Sequence, residues 1–255
     1  MTPDAQSVLL AIAVSVGFMA TVLIGAEAAP RLAVVLMGRV RCRATAAAGD
    51  PLRAEAVATH RWMSGPVPVI HPIARIATCG AFVLAVIWGA DASLSGLAGH
   101  GAGAAVVRFA CWVMLWFALL TAALCDAAAR VIPWETCFAI AGAGSALQLV
   151  SCGLASLFAG VVFGVVVALL CAVANRIGNR LGRGSQIGGG DVRCMAALSL
   201  ASGSAAFAGF AACFLVVALF ALAGRVLGKL KGAATVPLAP FFCVWLWVGA
   251  GGVLV

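Results

Sequence analysis

Eight acidic side chains occur in 255 residues, and two of them sit where chemistry could be done. Asp126, in "LCDAAARVIPWE", lies where an apolar run meets a polar turn, with Arg130 four residues on and Ile132-Pro133 closing the turn. Asp191, in "QIGGGDVR", follows Gly188, Gly189 and Gly190 and opens another apolar run. Each has an ordinary explanation alone. Asp126 can pair with Arg130 at helical i, i+4 spacing, and Asp191 can cap the helix it precedes. Taken together they suggest more, because two carboxyl groups held close at the ends of different helices can share one proton. One then donates a proton while its partner activates water. Peptide hydrolysis by such a pair uses no metal, no nucleophilic side chain and no cofactor. The glycines permit positive φ or close backbone approach beside Asp191.

The other reactive residue types offer less. Asp4, Asp50, Glu55, Asp91 and Glu135 fall in tails, loops or a helix start, and Glu27 at a helix end. His60, His71 and His100 have no ligand-like spacing, so no metal site is expected. No serine has a histidine and acid partner in a plausible set. The ten cysteines include no C-x-x-C, and all but Cys42 lie in or beside apolar runs, so they read as small buried hydrophobes. Trp88, Trp112, Trp245 and Trp247 fit packing or interface anchoring.

The elements that must position the two aspartates are membrane helices. Hydrophobic residues make up 64% of the chain and charged ones 9%, against roughly 25% charged in soluble domains. The mean hydropathy is +1.15. Apolar runs long enough to cross a bilayer follow one another, so the fold class is all-α and polytopic. Spans are expected near 7–26, 73–90, 106–125, 136–152, 154–174, 191–206, 208–224 and 238–254. The N-terminal run lacks a basic lead-in of the kind a cleaved signal has and is expected to be retained. The pair 191–206 and 208–224 competes with one long tilted helix, and two short spans are preferred.

Eight spans with both termini outside put 27–72, 126–135, 175–190 and 225–237 on the cytoplasmic side. Fifteen of the sixteen basic residues then lie inside, and only Arg108 lies outside. A wrong parity would scatter them. The net charge of +8 therefore reports topology rather than nucleic-acid binding. Two regions are expected: 1–105, with a basic loop at about 27–72 that lies as helix on the membrane surface, and 106–255, which holds both aspartates.

These residues resemble the bacterial type IV prepilin peptidases, membrane-embedded aspartic proteases of the GxGD kind. In that family an aspartate precedes a Leu/Ile-Pro turn by seven residues to the proline, as Asp126 precedes Pro133 here. A second aspartate closes a Gly-x-Gly-Asp-x-Lys motif, matched by Gly188, Gly190, Asp191 and Arg193. "VPLAPFF" at 236–242 is similar to the family's segment before the last helix. The family's N-terminal cysteine pairs are absent, and Arg75 stands where a glutamate is usual.

The resemblance implies an inner-membrane endopeptidase, with Asp126 and Asp191 catalytic and Gly188, Gly190, Arg193 and Pro133 supporting. Its substrates would be type IV prepilins or type II secretion pseudopilins, cut after a glycine at the cytoplasmic face to release a basic leader. The peptidase reaction would need no cofactor. S-adenosylmethionine would be required only for methylation of the new N-terminus, which the missing cysteine pairs speak against. The rival is a transporter or channel component using the same aspartates for protons or cations. Acids near one interface rather than the midplane disfavour it.

Overall fold

The computed structural model describes residues 25, 28–40, 70, 72–95, 97–181, 187–228 and 236–252. They form helices: α1 over 28–40, α2 Pro72–Ser95, α3 Leu97–Ala129, α4 Trp134–Ser151, α5 Gly153–Arg180, α6 Gly189–Ser202, α7 Ala206–Val226 and α8 Phe242–Gly251. Short 3₁₀ turns at Gly203–Ala205 and Ala239–Phe241 precede α7 and α8. The described residues contain no strand. Four stretches are long and apolar enough to cross a membrane: Pro72–Ala92, Gly103–Ala129, Gly153–Arg180 and Gly189–Val226. The expected first span and most of the basic loop lie outside the described residues. Of that loop, α1 packs Ala33, Leu36 and Met37 against Leu124, Cys125 and Ala129 at the C-terminal end of α3.

The long α3 is the centre of the bundle. Half of its apolar window is buried, against 28% or less in the other three, so those present most of their surface to lipid. Residues such as Leu154, Phe158 and Leu170 on α5 are exposed for this reason. α2 runs antiparallel to α3, with Phe82 against Phe117 and Trp88 against Trp112, whose indole N–H donates to the Ala85 carbonyl at 2.8 Å.

Glycines let α6 approach its neighbours at backbone distance. A Cβ on Gly144 of α4 would stand 2.6 Å from the Ala201 Cα, and one on Gly160 of α5 3.2 Å from the Leu200 Cα. Small residues of this kind are how membrane helices gain van der Waals contact.

The 38-residue apolar run from Gly189 to Val226 is a hairpin rather than one tilted helix. Gly249 of α8 packs on Ser202 of α6, and Cys243 is within electrostatic reach of Cys194, so α8 runs parallel to α6. Trp245 lies on Gly209 of α7, Cys243 near Cys213, and Phe241 on Phe220, so α7 runs antiparallel to α8. Hence α6 and α7 oppose each other, with the reversal at Gly203. Its backbone, φ 54° and ψ −126°, suits only glycine. The turn is tied down by polar groups: Gln148 Nε2 donates to the Ala201 carbonyl at 2.7 Å, Ser156 Oγ to Gln148 Oε1 at 2.9 Å, and the Ser204 N–H to Ser156 Oγ at 3.1 Å. Inside a bilayer a helix break needs such partners.

Most of the expected stretches that the described residues cover are helical, although α3 begins nine residues before 106. The last differs: where 238–254 was expected to span, a 3₁₀ turn precedes a ten-residue α8. Pro237 and Pro240 lack the N–H that would extend the helix backward. The cysteines are less uniformly buried than expected. Cys125, Cys137, Cys171, Cys194 and Cys213 are enclosed, whereas Cys152 is exposed at the turn into α5.

Candidate active site

The C-terminus of α3 and the N-termini of α4, α6 and α8 meet at one end of the bundle, bringing Asp126 and Asp191 together. Asp126 occupies the last turn of α3 and is buried. The helix closes behind it through the Arg130 N–H, which donates to the Asp126 carbonyl at 2.9 Å with Arg130 in the left-handed region at φ 56°. Such a residue ends a helix sharply and is usually glycine. The chain then passes Ile132 and Pro133, both buried, and Pro133 is the N-cap of α4. Its carbonyl accepts the Thr136 hydroxyl at 2.6 Å.

Asp191 was expected to be an N-cap and is not one. The helix begins earlier, at Gly189, with Gly188 as N-cap at φ −65°, so Asp191 is the third residue of the first turn. From there its carboxylate reaches back to the Gly188 N–H. An acid at this position satisfies an amide that the helix leaves unpaired and faces the positive end of the helix dipole. None of the three glycines needs positive φ; among the described residues Gly153, Gly203 and Gly228 have it. Close approach is what Gly190 provides. A Cβ there would stand 3.2 Å from Ile132 Cβ, 3.5 Å from Ile132 N and 3.6 Å from its carbonyl oxygen. The start of α6 therefore rests directly on the turn that follows Asp126. A Cβ on Gly188 would lie 3.0 Å from Asp191 Oδ2, while one on Gly189 would meet open space.

The third component is main chain. The Ala239 N–H donates to Asp126 Oδ2 at 3.0 Å, and the Leu238 amide also bonds this carboxylate. The segment 236–242, noted for its proline pattern, thus delivers two donors to the buried acid. The charge of Asp126 reaches Asp191, and the Arg130 guanidinium acts on both. Asp126 is thus a buried acid bonded by amides, and Asp191 beside it is half-buried.

One positioning feature had no signal in residue type. Asn175, near the end of α5, grips Ile187 twice: its Nδ2 donates to the Ile187 carbonyl and its Oδ1 accepts the Ile187 N–H, both at 2.9 Å. This fixes the chain one residue before Gly188. Arg193 lies on the exposed side of α6, where its Nε donates to the Gly189 carbonyl at 2.9 Å. Its guanidinium stands 5.8 Å over the Trp134 ring, itself stacked on Phe138. Among the described residues no cluster of three or more His, Cys, Asp or Glu could hold a metal.

The described part of the chain is an all-helical, multi-pass membrane protein with paired carboxyls at one end. Residues 112–228 match the type IV leader peptidase family, which bears out the resemblance over the stretch that contains Asp126, Pro133, the glycine triplet and Asp191. A match of this kind supports a protease of the leader-peptidase kind and suggests peptide substrates. No curated protein and no solved structure matches the chain.

Proposed function

We propose that this protein is an aspartic endopeptidase that removes the basic leader from type IV prepilins or pseudopilins, cutting after a glycine at the cytoplasmic face of the inner membrane. The observation that carries the proposal is the meeting of Asp126 and Asp191 at one end of the bundle. Gly190 packs on Ile132 there, and Asp126 Oδ2 is bonded by the Ala239 amide.

In this reaction the ionised carboxylate takes a proton from water as the water oxygen attacks the scissile carbonyl carbon. The protonated carboxyl gives its proton to the carbonyl oxygen, leaving a tetrahedral gem-diol. As the C–N bond breaks, the amine nitrogen takes a proton and the leader leaves as a carboxylic acid. Each carboxyl serves once as acid and once as base, so the pair returns to its starting state. Burial of the acids in a water-poor setting strengthens their effect on the developing charge.

The topology belonging to this proposal has eight spans with both termini outside, which puts the carboxyls at the cytoplasmic face. Leader hydrolysis itself draws on no cofactor, and S-adenosylmethionine would be needed only if this chain also methylated the product N-terminus, against which the absent cysteine pairs speak. Co-expression with a prepilin tests the proposal. Leader removal on a gel should vanish with Asp126→Asn or Asp191→Asn at matched protein levels. Processing at the wild-type rate by either variant would refute it. Mass spectrometry of the mature product made by this enzyme alone should show a free amine.

A further inference from the structure

Arg108 is the basic residue that the charge pattern separated from the others, and the structure gives it an unusual setting. It lies on α3 and is only 3% exposed. Neither its Nε nor its Nη2 has a hydrogen-bond partner. Those two N–H groups form the side edge of the guanidinium, which meets both oxygens of a carboxylate or phosphate at once. A buried cation with that edge empty is a costly arrangement in a membrane protein and marks a functional position by default.

Depth along α3 indicates what fills it. Asp126 − Arg108 is 126 − 108 = 18 residues, or about 27 Å at 1.5 Å per residue, close to the thickness of about 30 Å of a hydrocarbon core. With Asp126 at one boundary, Arg108 is at the other, level with the phosphates of the opposite leaflet. Trp112 follows one turn deeper, tilted against Trp88 and edge-on to Trp116, and Trp88 also meets Trp247. Trp112 and Trp116 are buried, and Trp247, the exposed indole of this cluster, suits the inner edge of a headgroup zone. Asp91, the one described acid at this end, is exposed on α2.

We propose that Arg108 is an oxyanion site for the phosphodiester of a phospholipid in the leaflet opposite the carboxyl pair. The long side chain swings outward from its enclosed position to headgroup level, and the lipid phosphate accepts from Nε and Nη2. The bound lipid then holds the α2–α3 end of the bundle.

The test uses the purified full chain in a phosphate-free neutral detergent, with the thermal unfolding midpoint as readout. Dioleoyl phosphatidylglycerol should raise the midpoint of the wild type by roughly 5–10 °C at saturation. Dioleoylglycerol, which has the same tails without phosphate, should give at most a small rise. Inorganic phosphate at the same concentration should do little, since it lacks the tails that anchor the lipid; a full rise with inorganic phosphate would overturn the lipid assignment. Arg108→Gln should lose most of the increment, and Arg180→Gln, exposed at the end of α5, should keep it. If Arg108→Gln does not fold, Arg108→Lys keeps the charge without the two-N–H edge and should lose most of the increment. An equal increment in wild type and the Arg108 variants, or one as large with dioleoylglycerol, would overturn the proposal.

Discussion

Gly190→Val separates the glycine's role from that of the carboxyls. A Cβ at this position stands 3.2 Å from Ile132 Cβ, tighter than most packed contacts, with the Ile132 backbone at 3.5 and 3.6 Å behind it. Alanine asks Ile132 to give by a few tenths of an ångström and recovers about 1 kcal/mol of helix propensity. Its stability should be near wild type and its cleavage reduced a few-fold. Valine adds two more carbons against a turn that ends in Pro133 and cannot retreat freely. Overpacking of this kind costs about 1–3 kcal/mol. The cheapest relief is to push the first turn of α6 off Ile132, which moves Asp191 away from Asp126. A displacement of about 1 Å at a reacting group can cost on the order of 100-fold in rate. Gly189→Ala, next door in open space, should leave the rate unchanged. The assay is the time course of leader removal from a purified prepilin in detergent, with unfolding midpoints measured on the same preparations. Wild-type cleavage by Gly190→Val would show that the contact with Ile132 does not set the spacing of the pair.

Other expected outcomes follow from the same geometry. Asn175→Ala removes both bonds to Ile187, each worth about 1 kcal/mol, and should slow cleavage about tenfold with a small drop in midpoint. Gly203→Ala places a Cβ against Ser156 and Gln148 at positive φ and should lower the midpoint by roughly 5–10 °C, read by thermal unfolding. Trp134→Ala removes an exposed cation–π contact of about 0.5–1 kcal/mol, so its midpoint should shift by no more than about 4 °C.

Much of this architecture was legible in the sequence because a bilayer enforces simple rules. Apolar length placed the helices, and two short spans were preferred to one long helix, with the break expected near 207 and found at Gly203. The two aspartates were visible because charge is scarce among apolar runs. What escaped depends on main chain and register. The Ala239 and Leu238 amides that bond Asp126 carry no residue-type signal, since every residue but proline has one. Asn175 looked like an ordinary polar residue at a helix end. Asp191 was read as a cap because the glycines suggested a loop. In the structure the two last glycines are helical, and the acid moves to the third position, where it reaches back to Gly188.

The central claim is that Asp126 and Asp191 act as one unit on a peptide bond. The most direct measurement is kcat/KM for cleavage of a purified prepilin by wild type, Asp126→Asn, Asp191→Asn and the double variant, all verified as folded. Groups that work together are grossly non-additive when removed. Both single variants should fall to the same background, and the double variant should be no slower than either. Wild-type activity in either single variant, or a double variant slower by the product of the two single losses, would contradict the account.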